Sequence, residues 1–132
     1  MVLVDTSVWI DYFNGRENAT TQTLDALLST TPVVVGDLIL MEVLQGFRDS
    51  RDYHVVRKLL MEFELRVLCS IPMALKAADY FRTLRGRGVT VRKTVDCLIA
   101  TYCIEEHLPL LHNDRDFDPF VLHLKLEVVA SP

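Results

Sequence analysis

Residues 108–120 read LPLLHNDRDFDPF. An apolar run of the kind that fills a buried strand stops abruptly at Asp114, Asp116 and Asp118, three acids at every second position. Like charge at the end of a core segment has a meaning only if other acids meet it there. The fold therefore turns on which other segments pair an apolar run with an acid at its end.

Working outward, Val2-Leu3-Val4 repeats the pattern: a buried-strand run followed at once by Asp5. Val33-Val34-Val35 is a second such run, Arg66 to Leu68 a third, and Glu127 to Val129 a closing one beyond the strand Leu110 to His112. Between them the pattern has helical period. Helices are expected over Ser7 to Asn14, closed by Gly15, and over Ala19 to Leu28. Others run from Asp37 as cap to Gln45 and from Arg51 to Glu64. Pro72 opens one that ends near Gly86-Arg87-Gly88, Thr94 caps one through about Glu105, and Pro119 starts a short last one. Strands alternating with helices predict an α/β fold, a three-layer α/β/α sandwich with a mostly parallel sheet covered on both faces. Ligands of such sheets bind beyond the carboxyl ends of the strands.

The 132 residues are the size of one domain, and 50% are hydrophobic, so a core can form. The net charge of −4 argues against an unspecific polyanion binder. Cys69, Cys97 and Cys103 are odd in number and lack C-x-x-C spacing, which excludes a disulfide framework and suits core filler in a reducing cytoplasm. No run approaches the roughly 18 apolar residues of a membrane span.

Four acids stand where acids are costly. Asp5 and Asp114 follow strands that, if central and parallel, project both carboxylates at one sheet edge. Glu42 is the only charge in Leu38–Leu44, on a helix apolar on every side and expected to be buried. Asp96 shares a helix face with Ile99, Ala100 and Cys103 and is aimed at the core or a cleft. Each has a structural alternative. Asp5 can cap the next helix, and Asp96 near a helix N-terminus gains roughly 0.3–1 kcal/mol from the helix dipole. Glu42 resists such a reading, because burying an unpaired carboxylate costs several kcal/mol. Asp118 before Pro119 is assigned to helix capping, and Asp116 is either a further ligand or a solvated turn. No basic residue in these windows stands ready to neutralise them all, so a shared cation is expected. Hard oxygen ligands without His or Cys point to Mg²⁺ or Mn²⁺.

Four motifs, V-D-T-S-V-W-I-D at Val4–Asp11, M-E-V-L-Q-G at Met41–Gly46, T-V-D-C-L-I-A at Thr94–Ala100 and H-N-D-R-D-F-D at His112–Asp118, resemble the PIN-domain family over nearly the whole chain. The likeness is greatest to its VapC-type toxins. The resemblance implies one PIN-like ribonuclease domain over residues 1–132, with Asp5, Glu42, Asp96 and Asp114 as the acidic quartet. Asp116 would assist as a further metal ligand and Thr6 would support the site. One or two Mg²⁺ or Mn²⁺ ions would bind the scissile phosphate and acidify a water that attacks phosphorus in line. It also implies a VapB-type antitoxin as partner, and a homodimer or a toxin–antitoxin hetero-oligomer.

The stretch Arg82–Lys93 holds five of the 14 basic residues, and Arg85, Arg87, Arg92 and Lys93 are its candidate contacts to an RNA backbone. Trp9 and Tyr12 are assigned to core packing rather than base stacking, and His54, His107, His112 and His123 to structural roles. Other classes fit less well. A dehalogenase-like phosphatase wants an acid where Ser7 stands, and a receiver domain wants a lysine near the last strand, where Lys125 sits late. A flap-type DNA nuclease of related fold and a metal-stabilised, non-enzymatic RNA-binding module remain as alternatives.

Overall fold

Val2, Leu3 and Val4 are buried, and so are Val33, Val34 and Val35 beside them. Strands buried on both faces run continuously apolar instead of alternating, and these two form the middle of the sheet. The structure, a computed structural model, describes residues 1–129. Along the chain lie β1 (Val2–Val4), α1 (Thr6–Phe13), α2 (Ala19–Thr30), β2 (Val33–Gly36), α3 (Asp37–Gln45), α4 (Ser50–Leu60) and β3 (Glu64–Arg66). Then follow α5 (Ile71–Gly86), α6 (Thr94–Glu105), β4 (Leu110–Leu111), a 3-10 turn (Arg115–Phe117) and α7 (Asp118–Leu124).

All strand pairs are parallel, in the order β3-β2-β1-β4. Steps from β1 to β2 and from β2 to β3 move one way, and the return from β3 to β4 crosses to the far side of β1. Right-handed crossovers therefore put α1 to α4 on one face and α5 and α6 on the other. The expected α/β/α sandwich with a parallel sheet is what forms. The strand order reverses between β1 and β4, so the crevice at their carboxyl ends is the switch point where such folds take ligands.

α6 lies across the core, with Cys97 through Cys103 all buried. Trp9 is buried as well, stacked on Phe13 at 5.6 Å between ring centroids, so its packing role holds. At Gly36 the backbone has an ordinary φ of −79°, but a Cβ there would collide with the Leu68 side chain. Leu68 is fully buried, and its N–H donates to Asp37 Oδ1 at 3.0 Å.

Several sequence-based boundaries move. α4 stops at Leu60 rather than Glu64, and the third strand is Glu64–Arg66 rather than 66–68. Its Glu64 and Leu65 are exposed: an edge strand is fixed by backbone pairing, here with Val34 to Gly36, so no core pattern marks it. The closing strand reduces to one parallel bridge from Val128 to Leu110, because β4 is only two residues long. Gly36 and Lys93, not Asp37 and Thr94, hold the cap positions of α3 and α6, neither through a side chain. Asp118 is not the cap of α7 either; the 3-10 turn runs straight into the helix and leaves no extended residue to cap. Cys69 is exposed just after Leu68, while Cys97 and Cys103 fill the core as expected.

Candidate metal centre

β1 and β4 are joined at their carboxyl ends: the Asp5 N–H donates to the Leu111 carbonyl at 2.9 Å. This bond brings the end of β1 to the turn that carries Asp114. The Asp5 carboxylate is 4% exposed and caps α1, with Oδ2 accepting from the Ser7 hydroxyl at 2.7 Å and the Ser7 N–H at 3.3 Å. Its capping role is thus real, and so is its burial. Burial pushes its pKa up, Ser7 pulls it back, and the nearby Glu42 charge raises it further.

Glu42 reaches the same region from α3, where Thr6 Oγ1 donates to its Oε1 at 2.8 Å. It is half-buried rather than sealed in the core, which corrects the expectation for this helix. Only Ile39 and Val43 of α3 are buried, and Met41 is 53% exposed, because the helix packs on the sheet with one face and nothing covers the other.

Asp96, third residue of α6, supplies the feature that most needs a ligand. Its Oδ2 is buried and has no hydrogen-bond partner among the described residues. Burial, then repulsion from Asp5, push its pKa up to about 6, against the pull of Lys93. Asp114 Oδ1 accepts from the Asp116 N–H at 2.9 Å and so caps the 3-10 turn. Although burial opposes it, that hydrogen bond and Lys93 hold the Asp114 carboxyl below the usual range.

One oxygen each from Asp96, Asp114 and Asp116 lie within 4.8 Å of one another. Asp116 is thus brought next to Asp96 and Asp114. Asp5 and Glu42 stand beside this group rather than in it. Their carboxylates are held by Ser7 and Thr6, and Asp5 links the two halves through its charge on both Asp96 and Glu42.

Lys93, just outside the windows quoted from the sequence, reaches three of the acids and, among the described residues, has no ion-pair contact with Asp5 or Glu42. Its Nζ lies 3.3 Å from Asp114 Oδ2, 3.5 Å from Asp116 Oδ2 and 3.9 Å from Asp96 Oδ2, too long in the last case for a hydrogen bond. Its pKa rises, mainly through the bond to Asp114. The side chain is 58% exposed, so the ammonium is a solvated counter-ion. It does not satisfy Asp96 Oδ2. A set of hard carboxylate oxygens with one orphaned, desolvated member fits a Mg²⁺- or Mn²⁺-type ion.

Of the basic stretch, Arg92 and Lys93 line a cavity against Asp96 and Asp116. Arg85 and Arg87 do not: Arg85 sits over the Phe81 ring, and Arg87 donates to the His123 carbonyl at 3.1 Å. Two further groups hold the site, one not expected from the sequence and one expected only as a structural residue. Ser7 had a signal in the D-T-S sequence, where a hydroxyl two residues past an N-cap acid is in reach of it. His112, assigned a general structural role, accepts the Asp114 N–H on Nδ1 at 3.1 Å, and burial lowers its pKa. Nothing local in the sequence marks that bond.

A parallel 3-2-1-4 sheet with carboxylates gathered where the ends of β1 and its neighbour β4 meet defines an α/β protein with an acidic cluster at its switch point. The chain belongs to the PIN domain family, whose profile matches residues 2–120. It is 33% identical over 121 residues to the VapC ribonuclease Mb1587 of Mycobacterium bovis, covering 89% of this chain and 90% of that one. The same figures hold for Ribonuclease VapC11 of Mycobacterium tuberculosis. Among solved structures, VapBC2 from Rickettsia felis bound to a promoter DNA fragment superposes with a TM-score of 0.78 at 16% identity, over 100% of both chains. FitAcB from Neisseria gonorrhoeae gives 0.73 at 19% identity over 98% of this chain and 97% of that one. These two likenesses establish the fold.

Proposed function

We propose that this chain is a divalent-metal-dependent endoribonuclease, a single catalytic domain acting as the toxin of a toxin–antitoxin pair. The observation that carries the chemistry is the buried, unpartnered Asp96 Oδ2 facing Asp114 and Asp116 at the β1–β4 switch point. The biological role is supported by the 33% identity to VapC ribonucleases along most of both chains.

In this reading Asp96, Asp114 and Asp116 hold the ion, and Asp5 and Glu42 complete the site from β1 and α3. A Mg²⁺ or Mn²⁺ ion there supplies the positive charge that binds the scissile phosphate and lowers the pKa of the attacking water. Ser7 fixes the Asp5 carboxylate and Thr6 fixes that of Glu42, so neither has to reorganise as charge develops on phosphorus. His112, through its bond to the Asp114 N–H, holds the turn from which Asp114 and Asp116 project. Lys93 keeps the acids from repelling one another until the ion arrives.

The partner in this reading is a VapB-type antitoxin, with a homodimer or hetero-oligomer as the assembled form. Exposed Ile71 and Leu75, one turn apart on α5, supply apolar surface for such contacts. Among the described residues no helix is long and apolar enough to cross a membrane, and action on RNA in the cytoplasm is part of the proposal. Purified protein should cut single-stranded RNA with Mn²⁺ or Mg²⁺, stop in EDTA, and lose activity in Asp96→Asn. Undiminished cleavage in EDTA would remove the metal from the reading.

A further inference from the structure

A cavity of about 320 Å³ opens beside the acidic cluster, with Asp96 and Asp116 among its lining residues. The lining also includes Arg92, from the segment before α6, and Arg115, from the 3-10 turn. Val91 and Pro119 give it an apolar side. Both arginines are exposed, and among the described residues neither has a carboxylate within ion-pair distance, although Arg115 stands between Asp114 and Asp116 in the chain. Lys93 takes up those acids instead. Arg115 also lines a second cavity with Asp114 and His112. It thus borders two hollows that share Asp116 with the cluster.

Two unpaired guanidinium groups facing a hollow next to a cation site are suited to a phosphodiester anion, which they bind through forked, charge-assisted hydrogen bonds. A volume at the small end of the ligand-pocket range suits one nucleotide rather than a duplex. We propose that this cavity is the subsite for the nucleotide adjoining the scissile phosphate of a single-stranded RNA. Arg92 and Arg115 grip its phosphate, and Val91 and Pro119 lie against its base. The inference deepens the ribonuclease reading and rests on it. It assigns Arg115 to substrate binding and separates Arg92 from Arg85 and Arg87, which are engaged elsewhere on the molecule.

The test uses the full chain in an Asp96→Asn background, so that RNA is not consumed, and a fluorescein-labelled octaribonucleotide read by anisotropy at several salt concentrations. Arg92→Ala/Arg115→Ala should weaken binding roughly tenfold at 0.1 M salt and flatten the slope of log K against log salt by about 0.7, as loss of one single-strand phosphate contact requires. Arg92→Lys/Arg115→Lys should restore the slope, and Arg85→Ala/Arg87→Ala should leave it unchanged. An unchanged slope in the first variant overturns the subsite. Equal losses in the first and last variants also overturn it, in favour of a diffuse basic face. Metal-dependent cleavage by the wild-type chain is measured alongside: cleavage with an unchanged slope removes only the subsite, and absence of cleavage removes both readings.

Discussion

The Lys93 ammonium lies 3.3 Å from Asp114 Oδ2, across 21 residues of sequence, at the point where the sheet reverses its strand order. A lysine in contact with three carboxylates competes with any divalent ion for them. Lys93→Met should therefore lower the melting temperature of the metal-free protein while strengthening apparent Mn²⁺ binding roughly two- to fivefold, since exposed ion pairs are each worth about 0–1 kcal/mol. Thermal shift at graded Mn²⁺ measures both. Identical Mn²⁺ curves for the two proteins would show that the lysine does not compete.

Asp96 has the opposite character, a carboxylate that destabilises the metal-free fold. Its folded pKa of about 6 lies above the unfolded value near 4, so the folded protein binds more protons between these values. Stability from this group falls as pH rises through that window, and the penalty is complete above it. Asp96→Asn should stabilise the metal-free protein by about 1–3 kcal/mol at pH 7, with the advantage shrinking toward pH 4. Urea titrations at pH 4.5 and 7 read this directly. A variant less stable than wild type at pH 7 would refute the assignment.

The Thr6–Glu42 hydrogen bond joins α1 to α3 across 36 positions at 2.8 Å. Thr6→Val keeps the side-chain shape and removes the donor. Metal affinity, read from the Mn²⁺ dependence of cleavage, should fall about 10- to 100-fold, as for other groups that orient ligands. Thr6→Ser should recover most of it, which a purely packing role for the methyl group would not allow.

Gly36 is required by space rather than by backbone conformation. Gly36→Ala drives a methyl group into the buried Leu68 and should cost about 1–3 kcal/mol in denaturant unfolding. In a double-mutant cycle with Leu68→Ala the two losses should add to less than their sum, because the smaller partner makes room. Strict additivity would place the damage elsewhere.

The parallel α/β sandwich was legible in the sequence. The apolar runs at 2–4 and 33–35 read as strands buried on both faces, and the helices of apolar period between them call for crossovers. The sequence also singled out Asp5, Glu42, Asp96 and Asp114, because an acid inside or at the end of an apolar segment is anomalous in local composition alone. The bounds of the edge strand, Glu64–Arg66 instead of 66–68, escaped it, since backbone pairing leaves no mark on side-chain choice. Long-range packing alone settles how the acids are partnered. It drew Asp116 in with Asp96 and Asp114, set Asp5 and Glu42 beside them on the hydroxyls of Ser7 and Thr6, and swung Lys93 among them while Arg85 and Arg87 turned to other neighbours. Burial is written into short stretches of sequence. The meeting of charged groups is not, because a long side chain answers to the field of whatever distant segments the fold brings within a few ångströms of it.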